Sequence, residues 1–324
     1  MNLANLYFIH FGISAFSIIF GLKSNLFMRN LIIIYLFFVL LASRQFEYKQ
    51  DLLSYYNWAI WDFYTYREPV FPYLNSLSYK ILGWRNIYII SDTISLIIIG
   101  SIFQRLKLHY NYMLIFFCFF PVIMGFQSIY RQFFGSLICL YIISFSYDAS
   151  IQNNIIFKRI GDFIRALIAI GTHNVHFLSI LTFKFINLKY ILNFLCSVVI
   201  GTLIVLIYDL LGKSNHDSGS STTILYIITL IILFSCFYFN RDKIGCNLCL
   251  SGITIITIMW FRGLETPSER VGLSFLIFIY ISLVYYIDRF RPYMAGRLIL
   301  LCLGFFPLFM TSAQTLLTGS YLNN

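Results

Sequence analysis

The chain has 324 residues, of which 59% are hydrophobic and 11% charged, and it carries a formal net charge of +10. Ordinary soluble domains carry about 25% charged residues, so a mean hydropathy of +0.79 excludes a conventional soluble enzyme and a disordered chain. It also excludes a nucleic-acid binder, because a polytopic membrane protein keeps its excess Lys and Arg in cytoplasmic loops.

A membrane helix needs roughly 20 apolar residues, and by that yardstick this length holds about ten to twelve crossings. The expected fold class is therefore all-α, a single transmembrane domain over residues 1–324 with re-entrant or broken helices. The first apolar segment, 3–22, lacks a basic n-region and a small-residue cleavage site, so it reads as the first span. A second segment, 30–43, leads into a loop at 44–67 rich in aromatic residues, among them Tyr55, Tyr56, Trp58 and Trp61. Such residues form interfacial belts, and their faces equally suit stacking against sugar rings. Residues 68–83 are short and amphipathic, with Asn75, Lys80 and Gly83, and read as re-entrant. Apolar segments follow at 86–104, 111–126 and 130–147. Residues 160–187 carry Gly171, Thr172, His173, Asn174 and His176 at their centre. That pattern predicts a broken helix, tolerated in a membrane only where it lines a cavity. The remaining apolar segments are 190–211, 222–240, 244–261, 271–287 and 294–316.

The seven cysteines are scattered through apolar runs. Cys246 and Cys249 form one C-x-x-C, but a structural metal site needs about four ligands, so they read as small buried apolar residues and no metal or other cofactor is expected. His10 and His109 read as lone interfacial residues. Phosphate-loop, dinucleotide and serine-hydrolase motifs do not occur.

The positive-inside rule sorts the charges. With both termini outside, 68–83 re-entrant and 160–187 entering and returning, the inner connections collect Lys23, Arg29, Arg105, Lys107, Lys158, Arg159, Lys184, Lys189, Arg241, Lys243, Arg289, Arg291 and Arg297. Arg165 lies near the inner end of its helix. An arginine-rich set is left at the outer face: Arg44, Lys49, Arg67, Arg131, Arg262 and Arg270. Arginine forks two hydrogen bonds onto a phosphate or carboxylate, so this set points to an anionic ligand at the outer boundary.

Local patterns refine the candidates. Glu68 precedes Pro69 at a helix start, where the dipole favours an anion. Arg131 opens an apolar span at the positive end of its helix, a place better suited to a cation if an anion shares it. Arg262 and Arg270 flank the outer loop 262–270, in which Thr266-Pro267-Ser268-Glu269 reads as a capping box with proline at the first helical position. His173 and His176, near mid-depth, suit acid–base chemistry.

Taken in order, Asp51-x-x-x-Tyr55, Arg67-Glu68-Pro69-x-Phe71, Arg131-Gln132 heading a span, the mid-helix histidine and Arg262 with Arg270 resemble the Wzy-type polysaccharide polymerases, in particular the EpsG-like branch. The resemblance covers most of residues 44–275. It departs at Gln50, where the family shows a glycine, and in offering two histidines for one. It implies a GT-C-like, metal-independent glycosyltransferase of the bacterial inner membrane. Such an enzyme joins undecaprenyl-pyrophosphate-linked repeat units into O-antigen or a related polysaccharide, beside a flippase and a chain-length regulator. It further implies that Arg67, Glu68, Arg131, Arg262, Arg270, Tyr55 and Tyr56 hold pyrophosphate and glycan, and that His173, His176 or Asp51 is the base. A ligase or acyltransferase on the same lipid-linked glycan, and a repeat-unit flippase, are the alternatives.

Overall fold

The computed structural model describes residues 3–20, 25–43, 51–60, 69–83, 87–127, 129–147, 155–172, 176–210, 222–289 and 293–305. Every regular element among them is an α-helix. Among the described residues, four helices are long and apolar enough to cross a membrane, Leu26–Ser43, Tyr190–Asp209, Lys243–Phe261 and Glu265–Asp288. Asn5–Phe20 and Thr223–Phe239 are shorter apolar helices. The protein is thus all-helical, with the character of a helical membrane protein.

The chain forms two compact units, one of Met1–Asn174 with Ile287–Asn324, the other of Val175–Tyr286. In the first, α1 (Leu3–Phe20), α2 (Leu26–Ser43) and α6 (Asn111–Phe116) pack together, and α15 (Tyr293–Phe305) lies against α1 and α6. Beside them, α4 (Val70–Leu82), α5 (Ile89–Arg105), α8 (Tyr130–Tyr147) and α9 (Ile155–Thr172) form a second layer, with α3 (Asp51–Ile60) on α4 and α7 (Phe120–Gln127) on α8. The second unit packs α13 (Lys243–Phe261) between α11 (Tyr190–Leu210) and α12 (Thr222–Phe239), with α10 (His176–Phe185) against α11. It also holds most of α14 (Glu265–Arg289), whose side chains from Gly272 to Val284 are buried without interruption.

The exterior is apolar. On α11, Ile191, Leu195, Val199, Leu203 and Leu206 are exposed in a stripe at helical spacing, and Ile224, Ile228 and Ile231 repeat the pattern on α12. A soluble helix turns that stripe inward; here it faces out, as lipid requires. The polar side chains turn inward instead. Asn193 Nδ2 donates to the Asn247 carbonyl and to Ser251 Oγ, both at 3.0 Å, and Ser197 Oγ donates to Ser251 Oγ at 3.0 Å. Asn247 Nδ2 reaches the carbonyls of Ile186 at 2.6 Å and Leu188 at 3.0 Å, fixing the turn between α10 and α11. Asp242 caps α13 by accepting from the backbone N–H groups of Ile244 and Gly245. Gly245 lets Phe237 lie flat on this turn, because a Cβ at 245 would stand 2.6 Å from its ring.

Several sequence expectations change. α9 is described as far as Thr172 and α10 from His176, and the break expected at the polar cluster between them lies outside the described residues. The segment 111–126 is not one span. Phe117, Cys118 and Phe119 donate to carbonyls three residues back, a tightened turn that separates α6 from α7. Pro121 explains it, since a continuous helix would drive its ring into the carbonyl four residues earlier. The capping box at Thr266–Glu269 is also corrected. α14 begins at Glu265, the Ser268 N–H reaches the Leu264 carbonyl at 3.0 Å, and Pro267 sits inside the first turn, where its missing N–H costs nothing. His10 is not a lone residue: it is 3% exposed, with Nε2 donating to the Leu114 carbonyl at 2.9 Å and its ring stacked on Tyr35.

Asn247→Ala removes both hydrogen bonds to the 186–188 turn. It is expected to destabilise the protein by about 1–2 kcal/mol, seen as a lower thermal-unfolding midpoint of the purified chain. An unchanged midpoint would show that the turn is held otherwise.

Candidate functional site

The residues that the sequence singles out fall in both units, and one set converges within the first. Tyr55 and Trp58 are three apart on α3 and so share one face of that short helix. Their ring centroids lie 5.5 Å apart. Arg131, the second residue of α8, places its guanidinium carbon 5.6 Å from the Tyr55 centroid and 5.4 Å from that of Trp58. Cation–π attraction of this kind contributes on the order of 0.5–2 kcal/mol. It offsets the unfavourable position of a cation at the positive end of a helix. Arg131 is half-buried, Tyr55 is 4% exposed and Trp58 is half-buried. Tyr56 is half-buried one residue on, about 100° further round α3.

An aromatic core holds the two helices in this relation. Phe71 of α4, fully buried, meets Tyr55 edge-on at 5.3 Å and Tyr130 at 5.1 Å. Tyr130, the first residue of α8, also packs on Tyr88 and Phe126. Its hydroxyl donates to Asp92 Oδ1 and lies 3.4 Å from Ser95 Oγ. Ser91 Oγ, beside Asp92 in the first turn of α5, donates to Asn75 Oδ1 of α4 at 3.1 Å. Asn75, Ser91, Asp92 and Ser95 are all 0–1% exposed. A seam of buried polar groups thus joins α4, α5 and α8 beneath Arg131. The end of α9 lies at the start of α4, since a Cβ on Gly171 would stand 3.0 Å from Val70 Cγ2.

Asp92 is the residue that the sequence reading missed. It is the sole acid between Glu68 and Asp148 and lies inside an apolar segment. An ionisable group so placed is a functional candidate by default, and that signal would have found it.

The other candidates are placed as follows. Asp51 opens α3, and its side chain lies outside the described part of the structure, as do Arg67, Glu68 and His173. His176 is the first residue of α10, in the second unit, and is fully buried. Arg262 is exposed just past α13, where Gly263 takes a positive φ of 74°, and Arg270 is half-buried on α14. Among the described residues no three His, Cys, Asp or Glu side chains gather as a metal site requires.

Tyr130→Phe deletes the hydroxyl bound to Asp92 while keeping the ring. It is expected to destabilise the protein by about 1–3 kcal/mol, more than Arg131→Ala, whose side chain is half-buried. Thermal unfolding of the two purified variants checks the order, and a reversal would show that the buried seam does not hold the site.

No protein-family model matches the chain, and neither the curated proteins nor the solved structures contain a significant match to it.

Proposed function

We propose that the chain is a membrane glycosyltransferase that polymerises undecaprenyl-pyrophosphate-linked oligosaccharide repeat units into O-antigen or a related surface polysaccharide. The observation that carries this reading is the Arg131 guanidinium within cation–π distance of Tyr55 and Trp58 at the start of α8. Arginine N–H groups recognise a diphosphate, and the half-buried rings of Trp58 and Tyr56 beside it suit contact with a sugar, so one small surface offers both chemistries of a lipid-linked glycan. The order of motifs along the chain, similar to the EpsG-like polymerases, supports the same reading.

In the reaction, a hydroxyl oxygen of the acceptor repeat unit attacks the anomeric carbon of the donor glycan. The bond from that carbon to the pyrophosphate oxygen breaks, and the lipid pyrophosphate leaves with the bonding electrons. The acceptor proton passes to a base, for which the resemblance offers His173 or His176, with Asp51 as the other candidate. Negative charge grows on the leaving pyrophosphate, and a preorganised arginine stabilises it most in the transition state. Arg131 takes that role. The resemblance alone assigns Arg67, Arg262 and Arg270 to the pyrophosphate, and Glu68 and Tyr56 to the glycan.

This reading places the chain in the bacterial inner membrane, crossing it about ten to twelve times with both termini on the periplasmic side. A flippase would supply its substrate, and a chain-length regulator would act with it.

The test is genetic. In a strain lacking the gene, lipopolysaccharide should show cores capped by a single repeat unit and no ladder, and the wild-type gene should restore the ladder. Arg131→Ala should lower polymer yield by roughly a hundredfold or more, the size reported by loss of one donor to a developing oxyanion. A normal ladder in the deletion strain would overturn the polymerase reading. Cores bearing no repeat unit at all would point to the ligase or flippase.

A further inference from the structure

The end of the first unit opposite Arg131 holds a second arginine cluster, which the proposed reaction does not use. Tyr141 lies ten residues after Arg131 on α8, about 15 Å along the helix axis. Its ring receives two guanidinium groups. Arg105, from the last turn of α5, places its Cζ 4.9 Å from the centroid, and Arg165 of α9 places its Cζ at 5.2 Å. Nη2 of Arg105 also donates to the Tyr141 hydroxyl oxygen at 2.9 Å. Arg165 pairs with Asp162 at 2.8 Å, one turn back on its own helix. Gly161 leaves room for it, since a Cβ there would stand 3.3 Å from Nη1 of Arg165. All of these side chains are half-buried, with about a third of the Arg165–Asp162 pair open, and so within reach of a ligand.

A tyrosine ring attracts a cation through its quadrupole but carries no net charge. Two like charges sharing it stand no more than about 10 Å apart, close to one Debye length in physiological salt. The neighbouring segments add cations. Arg29 donates to Gln104 beside Arg105, and Lys107 lies just past α5. The same helix that supplies Arg165 exposes Phe163, Ile164, Leu167 and Ile168, so a charged site and a lipid-facing apolar surface share α9.

We infer that Arg105, Arg165 and Tyr141 bind the phosphate of an anionic phospholipid headgroup. Guanidinium edges fork onto phosphate oxygens, and the exposed apolar residues of α9 receive the acyl chains. That apolar surface favours a lipid over free phosphate. The site is independent of the polymerase reading.

The test uses the purified full-length chain in detergent and native mass spectrometry, with dioleoylphosphatidylglycerol, dioleoylphosphatidylcholine and inorganic phosphate as probes. Phosphatidylglycerol should be retained at roughly thirtyfold lower concentration than phosphatidylcholine, as two surface arginines predict. The double variant Arg105→Gln/Arg165→Gln should abolish that preference. Arg241→Asn, which removes one charge from the other unit, should leave it intact, and inorganic phosphate should not displace the lipid. Undiminished preference in the double variant would overturn the inference. So would an equal loss in Arg241→Asn, which would mean diffuse charge only, or displacement by inorganic phosphate. Should the double variant not fold, Arg105→Lys decides, because it keeps the charge and loses the fork. Weakened retention supports the site, and full retention overturns it.

Discussion

A helical membrane protein has few places for a polar side chain, because lipid offers it no hydrogen bonds. Such a group must meet another polar group inside the bundle, or reach the boundary where water and headgroups begin. The whole structure follows from that constraint. The outward stripes of α11 and α12 are apolar. The asparagines and serines of α11 and α13 bond one another and the turn before α11. Asp92, the acid of α5, meets Tyr130.

The candidate site exploits the same constraint at a helix start. Tyr130 and Arg131 are consecutive, so their side chains diverge by about 100°. One turns inward to Asp92 and the Phe71 core, and the other turns toward the aromatic face of α3. The inward residue anchors the first turn, and the outward residue is thereby held in one direction. Preorganisation of this kind is what lets an arginine favour a transition state over a ground state. Further along, α8 repeats the pairing of arginine with an aromatic ring at Tyr141. One helix therefore carries a cation–aromatic cluster toward each of its ends.

The parts of this arrangement that depend on local chemistry were legible in the sequence. Hydropathy predicts the helical character of every described element. The spacing of Tyr55 and the position of Arg131 at a span's start were visible as candidates, although their meeting was not, because it depends on how α3 and α8 pack. His10 reads as a lone interfacial residue, yet a carbonyl on α6 and a tyrosine on α2 hold it within the bundle. Pro121 was a readable signal for the turn between α6 and α7, outweighed in the sequence by the apolar run around it. Asp92 was hidden in the same way, as one acid within a long apolar stretch whose partner lies 38 residues away.

The central claim is that Arg131, on its aromatic support, binds a lipid-linked pyrophosphate. Direct binding of undecaprenyl pyrophosphate to the purified full-length chain tests it most simply, with undecaprenyl monophosphate as comparison. The account predicts that the wild type prefers the diphosphate and that Arg131→Ala loses this preference while remaining folded. Equal affinity of the wild type and Arg131→Ala for the diphosphate would contradict it.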